Sequence, residues 1–228
     1  MKAVILAAGL GKRMKELTKN LPKPLIKIKN RPFLSYLLKN LQELNLDIGI
    51  VVGYKKEEII NFIKEKGIKA HFIEQKEQKG TGDAVKYIKN FVDNENFILL
   101  MGDNFYTKED IKKLMIKDNL CYIAVTTVTN PEKYGVILEE NGFLKDIIEK
   151  PQTYITNLIN TGLYKLTPEI FTALEKIHIS PRGEYELTDA IKLLAKQNKV
   201  KIIKINTWLD LGKPEDIKKI EEFFENAN

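Results

Sequence analysis

The chain has 228 residues and a formal charge of +6, from 37 Lys and Arg against 31 Asp and Glu, with 43% hydrophobic and 30% charged residues. This is the composition of one folded domain with a sizeable core, not of a disordered tail, and no apolar run approaches the roughly 18 residues of a transmembrane helix. One cysteine and two histidines exclude a disulfide framework and a Cys/His zinc site.

The N-terminal apolar stretch is too short for a signal peptide, so the reading places the chain in the cytoplasm, away from membranes. Basic residues are interleaved with acidic ones, and no dense basic run with aromatics suggests nucleic acid. A modest positive field suits a small anionic substrate.

The first predicted strand, residues 3–6, runs straight into Ala7, Ala8, Gly9 and Gly11, followed by Lys12, Arg13 and a Lys23 held between Pro22 and Pro24. Small residues after a buried strand let backbone N–H groups approach a polyphosphate, and cations just beyond them offset charge on its oxygens. A dinucleotide fingerprint needs a third glycine where Met14 stands, and a Walker loop needs Ser or Thr where Arg13 stands, so neither pattern fits.

Helical spacing of Phe and Leu then predicts a helix over residues 33–44, with Pro32 where a first turn accepts it. A strand over 48–52, a helix over 55–66, a strand over 69–74, a helix over 81–91 and a strand over 97–101 follow. This alternation predicts right-handed crossovers and a three-layer α/β/α body on a mixed, mostly parallel central sheet. Ligands would then bind at the carboxyl ends of the strands, near residues 7–11, 53–54, 75–80 and 102–104.

From residue 121 the texture changes to closer-set strands, over 121–128, 135–139, 144–149 and 158–166, with Asn141-Gly142 as a hairpin signal. Cys121 reads as core within the first of them. Helices over 168–174 and 187–197, a strand over 200–205 and a helix over 214–224 complete the chain. No linker or repeat separates the two textures, so residues 1–228 are expected to form one domain. Its first half, 1–117, would bind a nucleotide, and its second, 118–228, would cover the mouth and hold a second substrate.

The opening resembles the signature of the sugar-phosphate nucleotidylyltransferases, L-A-A-G-x-G-x-R-M/L followed by P-K-P-L, at Leu6, Ala7, Ala8, Gly9, Gly11, Arg13, Met14, Pro22, Lys23, Pro24 and Leu25. An ordered double motif is far harder to meet by chance than a lone glycine pair. The resemblance runs from residue 2 to about 214 and implies a Rossmann-like nucleotidyltransferase fold whose loop wraps a triphosphate, with Arg13 and Lys23 as the catalytic groups on the phosphates.

Later segments resemble the family in the same order. Gln75 with Gly80, Thr81 and Gly82 matches its second motif. A glutamine amide offers a donor and an acceptor to the imide edge of uracil or thymine, the glycines would let the backbone approach the base, and Thr81 would cap the next helix. The resemblance makes Asp103 and Asp210, the latter in W-L-D-L-G-K-P-E, the Mg²⁺-binding carboxylates. Taken singly, each also fits a turn or cap residue. On the sugar side, Gly135 of Y-G-V would face the sugar, Glu149 and Lys150 of E-K-P would take its hydroxyls and phosphate, and Asn160 would sit in a third sugar-side turn. Glu186-Leu187-Thr188-Asp189 matches a further family segment.

The implied reaction is Mg²⁺-dependent transfer of a nucleotidyl group from dTTP or UTP to a sugar-1-phosphate, glucose-1-phosphate or N-acetylglucosamine-1-phosphate, with release of pyrophosphate. The attacking phosphate is already anionic, so no general base is needed, in keeping with the scarcity of histidine. Cytidylyl transfer to a choline or inositol phosphate, and a catalytically silent nucleotide-sensing subunit, stay open as alternatives. Longer relatives add a hexapeptide-repeat β-helix with acetyltransferase activity; the 228 residues carry no such repeat, so acetyl transfer is not expected. Sugar, base and oligomeric state are left open, a homo-oligomer included.

Overall fold

The computed structural model describes residues 1–226. In chain order it runs β1 (Lys2–Leu6), β2 (Lys27–Ile28), β3 (Arg31–Pro32), α1 (Phe33–Glu43), β4 (Asp47–Val52), α2 (Lys56–Glu65), β5 (His71–Glu74), α3 (Thr81–Lys86), α4 (Lys89–Val92), β6 (Phe97–Met101), β7 (Asn104–Phe105) and α5 (Lys108–Lys113). The second half adds β8 (Cys121–Thr127), β9 (Gly135–Glu140), β10 (Phe143–Glu149), β11 (Leu158–Leu166), α6 (Glu169–Leu174), α7 (Leu187–Ala195), β12 (Val200–Lys204), β13 (Leu209–Asp210) and α8 (Asp216–Asn226).

β1 is central. Ala3, Val4 and Ile5 are all fully buried, so the strand is covered on both faces and reads as a continuous apolar run. Alternation then sorts the side chains. Val4, Val51 and Leu99 pack with α3, α6 and α7 on one face, while Ala3, Ile5, Ile50, Ile98 and Leu100 pack with α1, α2 and α5 on the other. A third cluster, with Met14, Ile28, Phe33, Phe105 and Leu211, seats Ile220 of α8.

The main sheet has the order β5-β4-β1-β6-β11-β8-β12-β10-β9, and β11 also pairs with β9. It is mixed, as expected, but not mostly parallel: parallel pairing is confined to β5-β4-β1-β6 and to the β8–β12 pair. β11 runs antiparallel to both β6 and β8, and β10 to both β9 and β12. The strands β11, β8, β12, β10 and β9 thus close into a small barrel-like ring. One pairing in the ring has a local reason: β9 and β10 are joined at Asn141 (φ 52°) and Gly142 (φ 79°), a two-residue primed turn that only an antiparallel pair can use.

Three local expectations need correction. The helix expected over 81–91 is two short helices, because the Ile88 N–H bonds Val85 O three residues back and tightens the turn between them, while Val85, Ile88 and Val92 stay buried. α5, not assigned from sequence, is capped by Thr107, whose hydroxyl accepts from Asp110 N. Pro32 lies just before α1, with φ −53°, and pairs with Lys27 in a two-residue ladder.

Candidate active site

The carboxyl ends of β1 and β6 open on a cavity of about 430 Å³ lined by Leu6, Ala7, Ala8, Gly9, Gly11, Arg13, Lys23, Gln75, Gly80, Thr81 and Asp103. Eleven residues singled out from sequence therefore meet in one place. Leu10, Lys12, Pro24, Gln78, Ala84, Met101 and Glu184 complete the wall.

The first loop is shaped by Gly11. Its φ is +65°, and a Cβ there would lie 3.0 Å from Thr18 Cγ2 and 3.2 Å from Lys23 Cβ, so conformation and space both require glycine. Thr18 closes the loop from the far side, its hydroxyl donating to Gly11 O at 3.0 Å. This folds the chain back so that Lys23, only 6% exposed, reaches Asp103 Oδ2 with its Nζ at 2.6 Å. Arg13 is exposed and makes no ion pair with the described residues.

Asp210 lies beside this pair. In the β7–β13 ladder Asp210 is opposite Asn104, and the Leu211 N–H donates to Asp103 O at 3.0 Å, so the two aspartates are held on adjacent strands. Burial first, and then the Asp103 charge, push the Asp210 carboxyl up to about 6, against the pull of Lys23 and Arg13. Trp208 steadies the ladder by donating its indole N–H to Asn104 Oδ1 at 3.0 Å. Among the described residues, no three His, Cys, Asp or Glu side chains cluster as a metal cage. Two adjacent carboxylates suit a hard divalent cation whose other ligands are phosphate oxygens and water.

The second motif is built differently from expectation. Gly80 has φ +105°, and a Cβ on it would meet Tyr185 O at 2.5 Å; one on Gly82 would meet the same oxygen at 3.0 Å. These glycines make room for residues 184–186 rather than only for a ligand. That segment is stitched on by Tyr185 N–H to Lys79 O and Gly82 N–H to Tyr185 O, both 2.8 Å. Thr81 does not cap α3, whose N-cap is Gly80 with no side-chain bond; its hydroxyl accepts instead from Leu187 N at 3.1 Å, at the start of α7.

The sugar-side residues lie outside the cavity wall. Gly135 pairs with Glu149 in the β9–β10 ladder, and a Cβ on Gly135 would come within 3.1 Å of Glu149 Oε1. Glu149 and Lys150 are exposed. Lys150 has φ 45° and anchors its backbone N–H to Tyr134 O at 3.0 Å. The Asn160 amide is engaged at both ends, donating to Tyr164 Oη at 2.7 Å and accepting from Gly162 N at 2.9 Å. Tyr134 links the two sides: its ring meets Trp208 edge-on at 5.1 Å, and burial, then the Asp210 charge, raise its hydroxyl pKa.

Sequence reasoning did not single out Gln78, Glu184, Tyr185 or Trp208 as individual groups. Gln78 lies within the stretch already marked and carries an amide, which was a usable signal. Glu184 and Tyr185 reach the site only through tertiary packing.

Comparisons with known proteins give the chain a family and a fold. A family model described as nucleotidyl transferase matches residues 2–227. The chain is 44% identical over 219 residues to the bifunctional protein GlmU of Methanocaldococcus jannaschii, covering 95% of this chain and 52% of that protein. It is 36% identical to the UTP–glucose-1-phosphate uridylyltransferase AglF of Haloferax volcanii, covering 97% and 96%. The chain spans about half the length of the bifunctional curated relatives it matches. Among solved structures, a UDP-glucose pyrophosphorylase complexed with UDP-glucose superposes with a TM-score of 0.87 at 26% identity, over 100% of this chain and 99% of that one. No helix among the described residues is long and apolar enough to cross a membrane.

Proposed function

The chain belongs to the nucleotidyl transferase family, and from that premise we propose that it transfers a nucleotidyl group from UTP or dTTP to a sugar-1-phosphate, glucose-1-phosphate or N-acetylglucosamine-1-phosphate. The observation that carries the reading is the ion pair between the buried Lys23 and the half-buried Asp103, set between the glycine loop with Arg13 and the second carboxylate, Asp210. One relative is named as a UTP–glucose-1-phosphate uridylyltransferase and one solved structure holds UDP-glucose, which supports a pyrimidine nucleotide and a hexose phosphate.

In this reading a phosphate oxygen of the sugar-1-phosphate attacks the α-phosphorus of the triphosphate. The bond from that phosphorus to the bridging oxygen breaks, and pyrophosphate leaves with the electron pair. The glycine loop would hold the triphosphate by its backbone N–H groups. Arg13 and Lys23 would offset the charge that builds on the departing pyrophosphate, and Lys150 would orient the attacking phosphate. Asp103 and Asp210 would hold Mg²⁺, which when bound supplies further charge stabilisation at the phosphates. Gln75 would face the base.

The test is pyrophosphate release from the chain with Mg²⁺ and a panel of UTP, dTTP and CTP against sugar-1-phosphates and against choline and inositol phosphates. Release with UTP or dTTP and a hexose-1-phosphate is the expected result. Release only with CTP and a non-sugar phosphate, or with no pair, would refute the reading.

A further inference from the structure

Gln75 is 3% exposed, at the end of β5, where its amide stands in the cavity wall. Its Nε2 donates to two acceptors at once, Asp83 Oδ2 at 2.8 Å and Gly80 O at 3.2 Å. Both amide hydrogens are therefore engaged. Asp83 is on the first turn of α3 and Gly80 immediately precedes that helix, so the two acceptors come from one rigid unit.

The Oε1 of Gln75 takes no hydrogen bond from the described residues. No buried side-chain nitrogen or oxygen among them lacks a partner, so this oxygen is an accessible atom of a residue that lines the cavity. Turning the amide over would set Oε1 against Asp83 Oδ2 at 2.8 Å with no proton between them, and against Gly80 O as well. Two facing acceptors in a partly dry site are strongly unfavourable, and one is a full charge.

We propose that Asp83 is a positioning residue that locks the Gln75 amide with its oxygen toward the nucleotide, so that the cavity presents an acceptor only. The inference rests on the nucleotidyl-transfer reading in one respect, that the ligand of this cavity is a pyrimidine nucleotide. An acceptor there takes a hydrogen bond from the ring N3–H of uracil or thymine. Cytosine carries a lone pair at N3, and the two acceptors repel. Asp83 thereby sets base selectivity without touching the base. The carbonyl of Gly80 alone leaves the orientation less firmly held, because a neutral acceptor penalises the flipped amide less than a carboxylate does.

Titration calorimetry of UTP and of CTP onto the full chain with Mg²⁺, without sugar phosphate, tests this apart from turnover. The unaltered chain should bind UTP about a hundredfold more tightly than CTP. Asp83→Asn, which can offer Gln75 either an acceptor or a donor, should narrow that ratio by about tenfold, mostly through tighter CTP binding. Asp83→Ser repeats the test with a smaller group, and the melting temperature of each variant checks its fold. If both nucleotides weaken equally, Asp83 is only a structural part of α3 and the proposal fails; it fails too if the unaltered chain does not discriminate. Discrimination by Asp83 without pyrophosphate release for any substrate pair would instead overturn nucleotidyl transfer and leave this inference standing. If neither nucleotide binds, the proposal fails, and the dTTP arm of the pyrophosphate assay then decides nucleotidyl transfer.

Discussion

The two sides of the proposed site, one for the nucleotide and one for the sugar, are made by different means. On the proposed nucleotide side, backbone loops at the ends of parallel strands converge on one cavity, with an ion pair whose lysine is buried and two adjacent carboxylates behind them. On the sugar side, the marked residues lie on the antiparallel ring, where Glu149 and Lys150 are exposed and the Asn160 amide is engaged within its own strand. Under the proposed function, phosphate binding would be prearranged except at the exposed Arg13, whereas sugar binding would rely on side chains aimed by the ligand. Preorganised groups lose little on binding and carry more of the barrier lowering; mobile ones mostly set affinity.

That comparison can be broken by mutation. Asp103→Asn should have the largest effect, lowering pyrophosphate release about a thousandfold, on the order of an electrostatic stabilising group removed from a dry site. Asparagine is preferred to alanine because it leaves Lys23, 6% exposed, an oxygen to bond. Near-normal release, with circular dichroism unchanged, would take Asp103 out of the chemistry. Arg13→Ala should lower kcat about a hundredfold while KM for the sugar phosphate stays within about threefold. A rise in KM with kcat intact would make Arg13 a binding group and weaken the contrast.

Asp210→Asn should separate function from stability. The folded chain raises this carboxyl from 3.8 to about 6; the fold therefore favours the protonated form, and its contribution is full below about pH 4 and lost as pH rises through 6. In metal-free buffer at pH 8 the variant should be more stable than the parent by about 2–3 kcal/mol, with no difference near pH 4. Urea unfolding at both pH values measures this, and equal stability at pH 8 would mean that the carboxylate is not strained there. The smallest effect belongs to the sugar side. Lys150→Ala should raise KM for the sugar-1-phosphate about tenfold, leave KM for UTP alone and change kcat little. A large fall in kcat would show that this side is preorganised too.

Legibility followed the same division. The glycine loop was readable because its requirement is local: Gly11 needs φ +65° and a clear space beside Thr18 and Lys23, and both partners lie within twelve residues of it. β6 matches its expected span because Phe97–Met101 is an uninterrupted apolar run between polar breaks, and β11 matches although Asn160, Gly162 and Lys165 interrupt its apolar residues. Thr81 was misread as a helix cap, and the space that Gly80 leaves for residues 184–186 was not foreseen, since both are decided about a hundred positions away. Lys165 is another case: a lysine in a strand reads as solvated, yet it is fully buried, its Nζ held by Asp118 Oδ1 at 2.6 Å and by the carbonyls of Asp118 and Leu120.

The sequence by itself determined the loop chemistry, the alternating first half and the residue types of the site, because strand period, turn geometry and cation placement are short-range properties of the chain. Only the tertiary structure decided that the second half closes into a ring, that Lys23 pairs with Asp103, and that the Gln75 amide nitrogen is held by Asp83 and the Gly80 carbonyl. Each of those depends on which strand edge or carboxylate arrives from far along the chain, and no local pattern encodes that arrival.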